Sequence, residues 1–426
     1  MRRTPALGFI IVILASTSSS FGQAPLRQRI DSISAEIHSE MIRIRRDIHM
    51  HPELSNREVR TGQLVADYLR KLGFDQVTHP FAKTGVVAVL KGGRPGPVVA
   101  VRADMDALPI QEMIDVPYKS TVAGVKHACG HDGHVAIALG VATILSRMRA
   151  EIAGTVKFLF QPAEEGPPEG EAGGAPLMIT EGALKNPDVE AIFGLHLLPT
   201  IPIGQIGFNS GAAMASSNVF DIEIVGKKTH GAYPHTGIDP IPIAAQVILA
   251  LQTIPSRMNN ASDPIIISVG VIEAGNRFNI IADKARLVGT VRTLRRGGPE
   301  WVRDRIEAVL KGVTSSYGAT YRLQFKEGNP VTYNDPALAA RMAPALERVV
   351  GASNLTTPPP QMGAEDFSKF QLVVPGFFFF VGVANPSKGI TAMVHTEYYD
   401  MDEEALRIGA RALCNVVLEY AEGKKK

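Results

Sequence analysis

The sequence predicts an α/β protein: a three-layer domain built around a central mixed sheet, interrupted by an inserted ferredoxin-like α+β unit. Three observations carry this. Apolar runs of strand length alternate with helical stretches through the first two hundred residues. The order then changes to β-α-β-β-α-β, and 426 residues that are 45% hydrophobic and 20% charged suffice for two cores.

Taken in order, Arg2 and Arg3 precede an apolar stretch from Ala6 to Ala15 and a small polar tract ending Gly22-Gln23-Ala24, the three-part layout of a secretory signal peptide over residues 1–24. The stretch is too short to span a bilayer, so no stable membrane anchor is expected and the chain is read as exported, periplasmic or secreted. Removing residues 1–24 takes the net charge from +2 to zero, which argues against nucleic acid as a partner.

Helical periodicity runs from Ile30 to Ile48 and from Glu58 to Leu72, stopped by Gly73. Val98 to Arg102 reads as a buried strand, Val135 to Met148 as a helix, and Thr155 to Phe160 and Ala191 to His196 as further strands. After Gly211 come strands at 217–225, 265–272, 285–294 and 320–326 and helices at 240–254 and 300–317, and beyond Asp335 a helix, the very apolar strand Gly376 to Val383 and a final helix, Glu403 to Tyr420. The predicted domains are 25–212 and 328–426, two parts of one unit, with 213–327 inserted between them.

Two loops carry the chemistry. Ala-Cys-Gly-His-Asp-Gly-His at 128–134 supplies a thiol and imidazoles, with Gly130 and Gly133 giving the freedom to fold Cys129 and His131 onto one ion. Gln-Pro-Ala-Glu-Glu-Gly at 161–166 follows a strand, where consecutive side chains diverge, so one glutamate can ligate metal while its neighbour faces an attacking water. Either feature alone is what a solvated acidic loop or a small buried thiol would show; together, with His196 and His395, they point to a metal site. Asp104, Asp106, Glu164, Glu165 and His196 all fall at or beyond strand C-termini, where open α/β sheets place their sites. Cys129 is read as a ligand and Cys414 as a core residue, so no disulfide is expected between them.

Nearly the whole chain after residue 24 resembles the two-domain metal-dependent amidohydrolases related to aminoacylases and carboxypeptidases, in the branch of hippurate hydrolases, N-acyl-amino-acid amidohydrolases and plant auxin-conjugate hydrolases. The resemblance rests on the two loops, on Arg-Arg-Asp-Ile-His-Met-His-Pro-Glu-Leu at 45–54, Arg-Ala-Asp-Met-Asp-Ala-Leu-Pro at 102–109, Gly-Leu-His at 194–196, Thr-His-Gly-Ala-Tyr-Pro-His at 229–235, Gly-Ala-Glu-Asp-Phe at 363–367 and Val-His-Thr-Glu-Tyr-Tyr-Asp at 394–400. It implies that Cys129, His131, Glu165, His196 and His395 hold one or two divalent metals, with Cys129 bridging, that Glu164 is the general base and that Asp106 orients a ligand. It also implies that His230 reaches a developing oxyanion across a homodimer, and that Asn279 and Arg292 lie near the substrate's free carboxylate. In the inserted domain this makes a lid and dimerisation unit. Zinc or manganese suits the ligand set, with cobalt a further candidate.

Ala282, where many relatives have proline, and Thr396-Glu397, in place of a Ser-Pro-like step, bear on specificity rather than on the donors. His49, His51, His127 and His134 are read as structural or supporting. The function implied is hydrolysis of the amide of N-acyl-L-amino acids, with a carboxypeptidase on short peptides as the alternative. Two readings from other classes are a cysteine hydrolase using Cys129 without metal and an exported solute-binding protein.

Overall fold

The computed structural model describes residues 23–423, so the signal-like segment lies almost wholly outside the described residues. In chain order the elements are α1 (Gln23–Glu36), α2 (His38–Met50), α3 (Val59–Lys71), β1 (Gln76–Phe81), β2 (Gly85–Lys91), β3 (Arg94–Asp104), α4 (His131–Arg147), β4 (Ala153–Gln161), α5 (Gly174–Thr180), β5 (Ala191–Pro202), β6 (Ile206–Gly207) and β7 (Gly211–Met214). Then come β8 (Asn218–Val225), β9 (Thr229–His230), α6 (Pro240–Leu251), β10 (Ile265–Ala274), β11 (Ile280–Ile281), β12 (Lys284–Thr293), α7 (Gly298–Ser315) and β13 (Thr320–Glu327). The chain closes with β14 (Thr332–Asn334), α8 (Pro336–Val350), β15 (Leu355–Thr356), α9 (Phe367–Gln371), β16 (Gly376–Ala384) and α10 (Glu404–Glu422).

The large sheet has eight strands in the order β1-β2-β4-β3-β5-β16-β6-β15. Its centre is parallel, β4 to β3 to β5 to β16, while β1, β2 and β6 pair antiparallel, so the sheet is mixed. β16 shows why three layers form. Its run of phenylalanines alternates faces with the period of two that a strand imposes. Phe377 and Phe379 enter one core with α2, α4 and α10, while Phe378 and Phe380 enter a second core with α5 and α9. A strand apolar on both faces is what a sheet covered on both sides requires.

The second sheet has the order β10-β12-β8-β13, all antiparallel, with α6 and α7 packed on one face around Phe220, Ile222 and Leu287. Sequence order and sheet order together are those of the ferredoxin-like fold. Gly289 sits where this sheet leaves no room: a Cβ there would lie 2.1 Å from Phe220 and 2.2 Å from the Ser268 carbonyl.

Two elements depart from the sequence expectation. The helix read as 30–48 is two helices that meet at Ile37. The helix expected from Val135 begins at His131, because Gly130 takes a left-handed φ of +94° and ends the loop there.

Candidate metal centre

β3, β4 and β5 run parallel, with Asp104 directly opposite Gln161, so the loops leaving them open onto one edge. Asp106 lies two residues past β3, Glu164 and Glu165 follow β4, and His196 stands on β5 opposite Phe380 of β16. Cys129 and His131 flank Gly130, whose missing side chain leaves space for Tyr399: a Cβ there would sit 2.7 Å from the phenol oxygen. His395 comes from the loop before α10 in a left-handed conformation (φ 63°), tied to the Cys129 loop by its N–H donating to the Ala128 carbonyl at 2.7 Å.

All five predicted ligands converge. The Cys129 sulfur is 3.3 Å from His196 Nε2 and 3.3 Å from His395 Nε2, and Glu165 Oε1 is 3.2 Å from His395 Nε2 and 4.0 Å from His131 Nε2. Ligands about 2.0–2.3 Å from a shared tetrahedral ion stand roughly 3.3–3.7 Å apart, so these spacings suit donors around metal. Cys129 belongs to two triads, Cys129–His131–His196 and Cys129–Glu165–His395, each with its ligand atoms within 4.8 Å of one another. His131 Nε2 and Glu165 Oε1 are buried without a hydrogen-bond partner. Buried polar atoms are rarely left this way, and a divalent cation between them satisfies both. The residues therefore fit the metal that their chemistry implies.

The surroundings fix the ligands' protonation. His131 Nδ1 lies 2.9 Å from the Asp106 carbonyl and 3.2 Å from its carboxylate, which leaves Nε2 directed into the cluster. Burial pulls the His131 pKa down, but Asp104 and Cys129 overrule it and hold it well above the usual histidine value. For His395, the neighbouring Cys129 sulfur and Glu165 carboxylate push it up to about 10. Burial, reinforced by Glu365, Asp366 and Glu165, holds the Glu164 carboxyl well above the glutamate range. In the absence of metal the cluster thus holds protons that a cation would displace.

Beneath Glu164 lies a group that the motifs did not assign. The buried guanidinium of Arg102 donates to Gln161 at 2.8 Å, Asp104 at 2.6 Å, Glu365 at 2.8 Å and Asp366 at 2.9 Å, and the Asp366 N–H donates to Glu164 Oε1 at 3.3 Å. Asp104 also binds His134 Nδ1 at 2.6 Å. His49 is held between Asp132 (2.8 Å) and Glu112 (3.0 Å), and His51 binds the Asp47 carbonyl at 2.8 Å. His127 is buried with neither ring nitrogen bonded. None of these four histidines joins the five-residue cluster by a hydrogen bond or ion pair among the described residues.

The structure does not bring His230, Asn279 or Arg292 to the cluster. His230 is exposed on β9, paired with Ile280 of β11, and Gly231 N–H donates to the Asn279 carbonyl at 2.8 Å. The Asn279 side-chain oxygen is buried without a partner, and Arg292 stands on β12 opposite Ile266. All three lie in the small-sheet unit.

The chain matches Peptidase family M20/M25/M40 over residues 100–419. It belongs to that family. Its relatives include the N-acetylcysteine deacetylase of Bacillus subtilis, 38% identical with 90% of this chain and 98% of that protein aligned, and the thermostable carboxypeptidase 2 of Saccharolobus solfataricus, 38% identical over 93% and 99%. The crystal structure of the Bacillus subtilis YXEP protein, described as a dinuclear metal-binding peptidase from this family, superposes with a TM-score of 0.79 at 36% identity, covering 91% of this chain and 99% of that one. The chain is accordingly a metal-dependent hydrolase of amide or peptide bonds. No helix among the described residues is long and apolar enough to cross a membrane, and Cys129 and Cys414 are both free.

In this member of the peptidase M20/M25/M40 family the motifs also passed over Glu58, the residue just before α3. It is fully buried, accepts from Thr84 Oγ1 at 2.6 Å and from the Ala163 N–H at 2.9 Å, and burial together with Asp106 pushes its pKa up to about 7. An unfolded glutamate releases its proton near pH 4.5, so between pH 4.5 and 7 the folded chain binds the extra proton and its stability falls as pH rises. The contribution is complete below pH 4.5 and lost once pH passes 7. Glutamine at this position does not titrate. The stability of metal-free wild type relative to Glu58→Gln should therefore fall by about 3 kcal/mol between pH 4.5 and 8. Urea midpoints of both proteins at the two pH values measure this, and a gap that stays constant with pH contradicts it.

Proposed function

We propose that this protein hydrolyses the amide bond joining an acyl group to an α-amino acid, releasing the carboxylic acid and the free amino acid. The observation that carries this reading is the pair of donor triads sharing Cys129, with the Glu164 carboxyl in a third group beside His131 and Glu165. A divalent ion held by Cys129, His131, Glu165, His196 and His395 would supply Lewis acidity, polarising the scissile carbonyl and acidifying the attacking water. Zinc, manganese and cobalt are the candidate ions.

Glu164 takes the proton from that water on a carboxylate oxygen and returns it to the leaving nitrogen. Its environment suits the first half of the task, because burial and the neighbouring Glu365 and Asp366 favour the protonated form once a proton has been taken. Asp106 acts through His131, holding Nδ1 so that Nε2 faces the ion. His230 serves the developing oxyanion from a second copy of the chain, and Arg292 and Asn279 bind the substrate's free carboxylate. The homodimer is supported by the edge strand β10, which exposes Ile266, Val271 and Ile272, and by Phe278, 97% exposed on the same unit. Export rests on the layout of residues 1–24.

A carboxypeptidase acting on short peptides is the second reading, favoured by the likeness to the thermostable carboxypeptidase. A panel of N-acetyl, N-benzoyl and N-indoleacetyl amino acids beside di- and tripeptides separates the two. We expect kcat/KM on the best acyl amino acid to exceed that on any peptide by at least about 10-fold, a difference of about 1.4 kcal/mol at the transition state. The reverse order overturns the assignment.

A further inference from the structure

We propose that Glu58 is a positioning residue for Glu164: its buried carboxyl holds the backbone at Ala163 in a left-handed turn that aims Glu164 at the reaction centre. The inference rests on the reading of Glu164 as general base. It starts from a strained position. Ala163 has φ +55°, a region that residues with a Cβ seldom enter, and it directly precedes Glu164. Such backbone persists only when its surroundings over-determine it.

Two carboxylates do so here. Glu58 accepts the Ala163 N–H at 2.9 Å, and Asp106 accepts the Glu165 N–H at 3.0 Å, so the amides on either side of Glu164 are both held. Each carboxylate is itself anchored, Glu58 by Thr84 Oγ1 at 2.6 Å and Asp106 by Ser55 Oγ at 2.7 Å. Glu58 touches none of the five ligands by a hydrogen bond or ion pair, and it is too deeply buried to meet substrate. Its influence passes through the turn. A base displaced by about 1 Å loses on the order of 10²-fold in rate.

The test uses the full metal-loaded chain and compares Glu58→Leu, Glu58→Gln and Glu58→Leu combined with Ala163→Gly. Leucine fills the space without an acceptor, glutamine keeps an acceptor for the Ala163 N–H, and glycine takes a left-handed turn without help. We expect Glu58→Leu to lower kcat about 10- to 100-fold with KM within about 3-fold. Glu58→Gln should retain most of kcat, and the added glycine should recover at least about 5-fold of the loss.

Amide hydrogen exchange over residues 160–166 reads the turn independently of activity. It should quicken in Glu58→Leu and stay slow in Glu58→Gln, so the clamp can be judged even if no panel substrate is turned over. Wild-type kcat and exchange in Glu58→Leu would overturn the proposal, as would a loss of kcat that glycine at 163 does not relieve. If Glu58→Leu does not fold, Thr84→Val removes the anchor of Glu58 and should quicken the same exchange. No change there overturns the proposal equally.

Discussion

Glu164→Gln is expected to lower kcat by about 10²–10⁴-fold while the protein binds as much divalent metal as before. The two halves of this expectation separate because the two adjacent glutamates stand in different surroundings. Glu165 Oε1 lies 3.2 Å from His395 Nε2 and shares a triad with Cys129, whereas Glu164 turns toward Asp366, whose N–H reaches it at 3.3 Å. A glutamine keeps the size of the side chain and can still accept that N–H, but it cannot take a proton from water. Turnover on the best panel substrate and metal content by elemental analysis measure the two halves. Metal lost in parallel with activity would make Glu164 a ligand, and retained activity would remove it from the mechanism.

Cys129→Ala is expected to weaken metal binding by more than the ~10²-fold that loss of an outer hydrogen-bond partner can cost, because Cys129 is the donor common to both triads. Activity should fall with metal content. This result distinguishes the metal centre from a cysteine nucleophile, which needs no metal and would lose activity on the same substitution with no change in metal affinity. The structure already leans one way: burial and the adjacent Glu165 push the free thiol's pKa up, the opposite of what an unassisted nucleophile needs. A divalent cation reverses that balance by binding the thiolate. Titration of zinc or manganese into chelated wild type and variant measures the loss, and equal affinity in the two would contradict the shared-donor arrangement.

The parts of the fold legible in sequence were those written in apolar pattern. The run Phe377 to Phe380 declared a buried strand, and the order of strands and helices from Asn218 to Glu327 declared the ferredoxin-like sheet. β1, with the sequence Gln-Val-Thr-His-Pro-Phe, carries no such pattern: it is an edge strand, mostly half-buried or exposed, so its residues are not selected for a core. The start of α4 was hidden because Gly130 and Gly133 look like loop residues, and only the first ends the loop.

In the site, the five donors were legible because thiol, imidazole and carboxylate stand out within short motifs. Arg102, Glu365, Asp366 and Glu58 were not, because their roles lie in contacts across long stretches of chain. Arg102 meets Glu365 and Asp366 more than 260 positions away, and Glu58 meets Ala163 across 105. Nothing in the local pattern of a buried glutamate before a helix distinguishes it from an ordinary helix-terminal acid.

Hydrolysis of acyl amino acids is proposed to occur at a metal held by Cys129, His131, Glu165, His196 and His395. It is tested most directly by following turnover of an N-acyl amino acid by the purified protein before chelation, after chelation, and after return of zinc, manganese or cobalt, with bound metal determined at each stage. Activity that disappears with the metal and returns with one of these ions is the predicted result. Turnover that persists at the initial rate after the metal has been removed would show that hydrolysis does not depend on the ion.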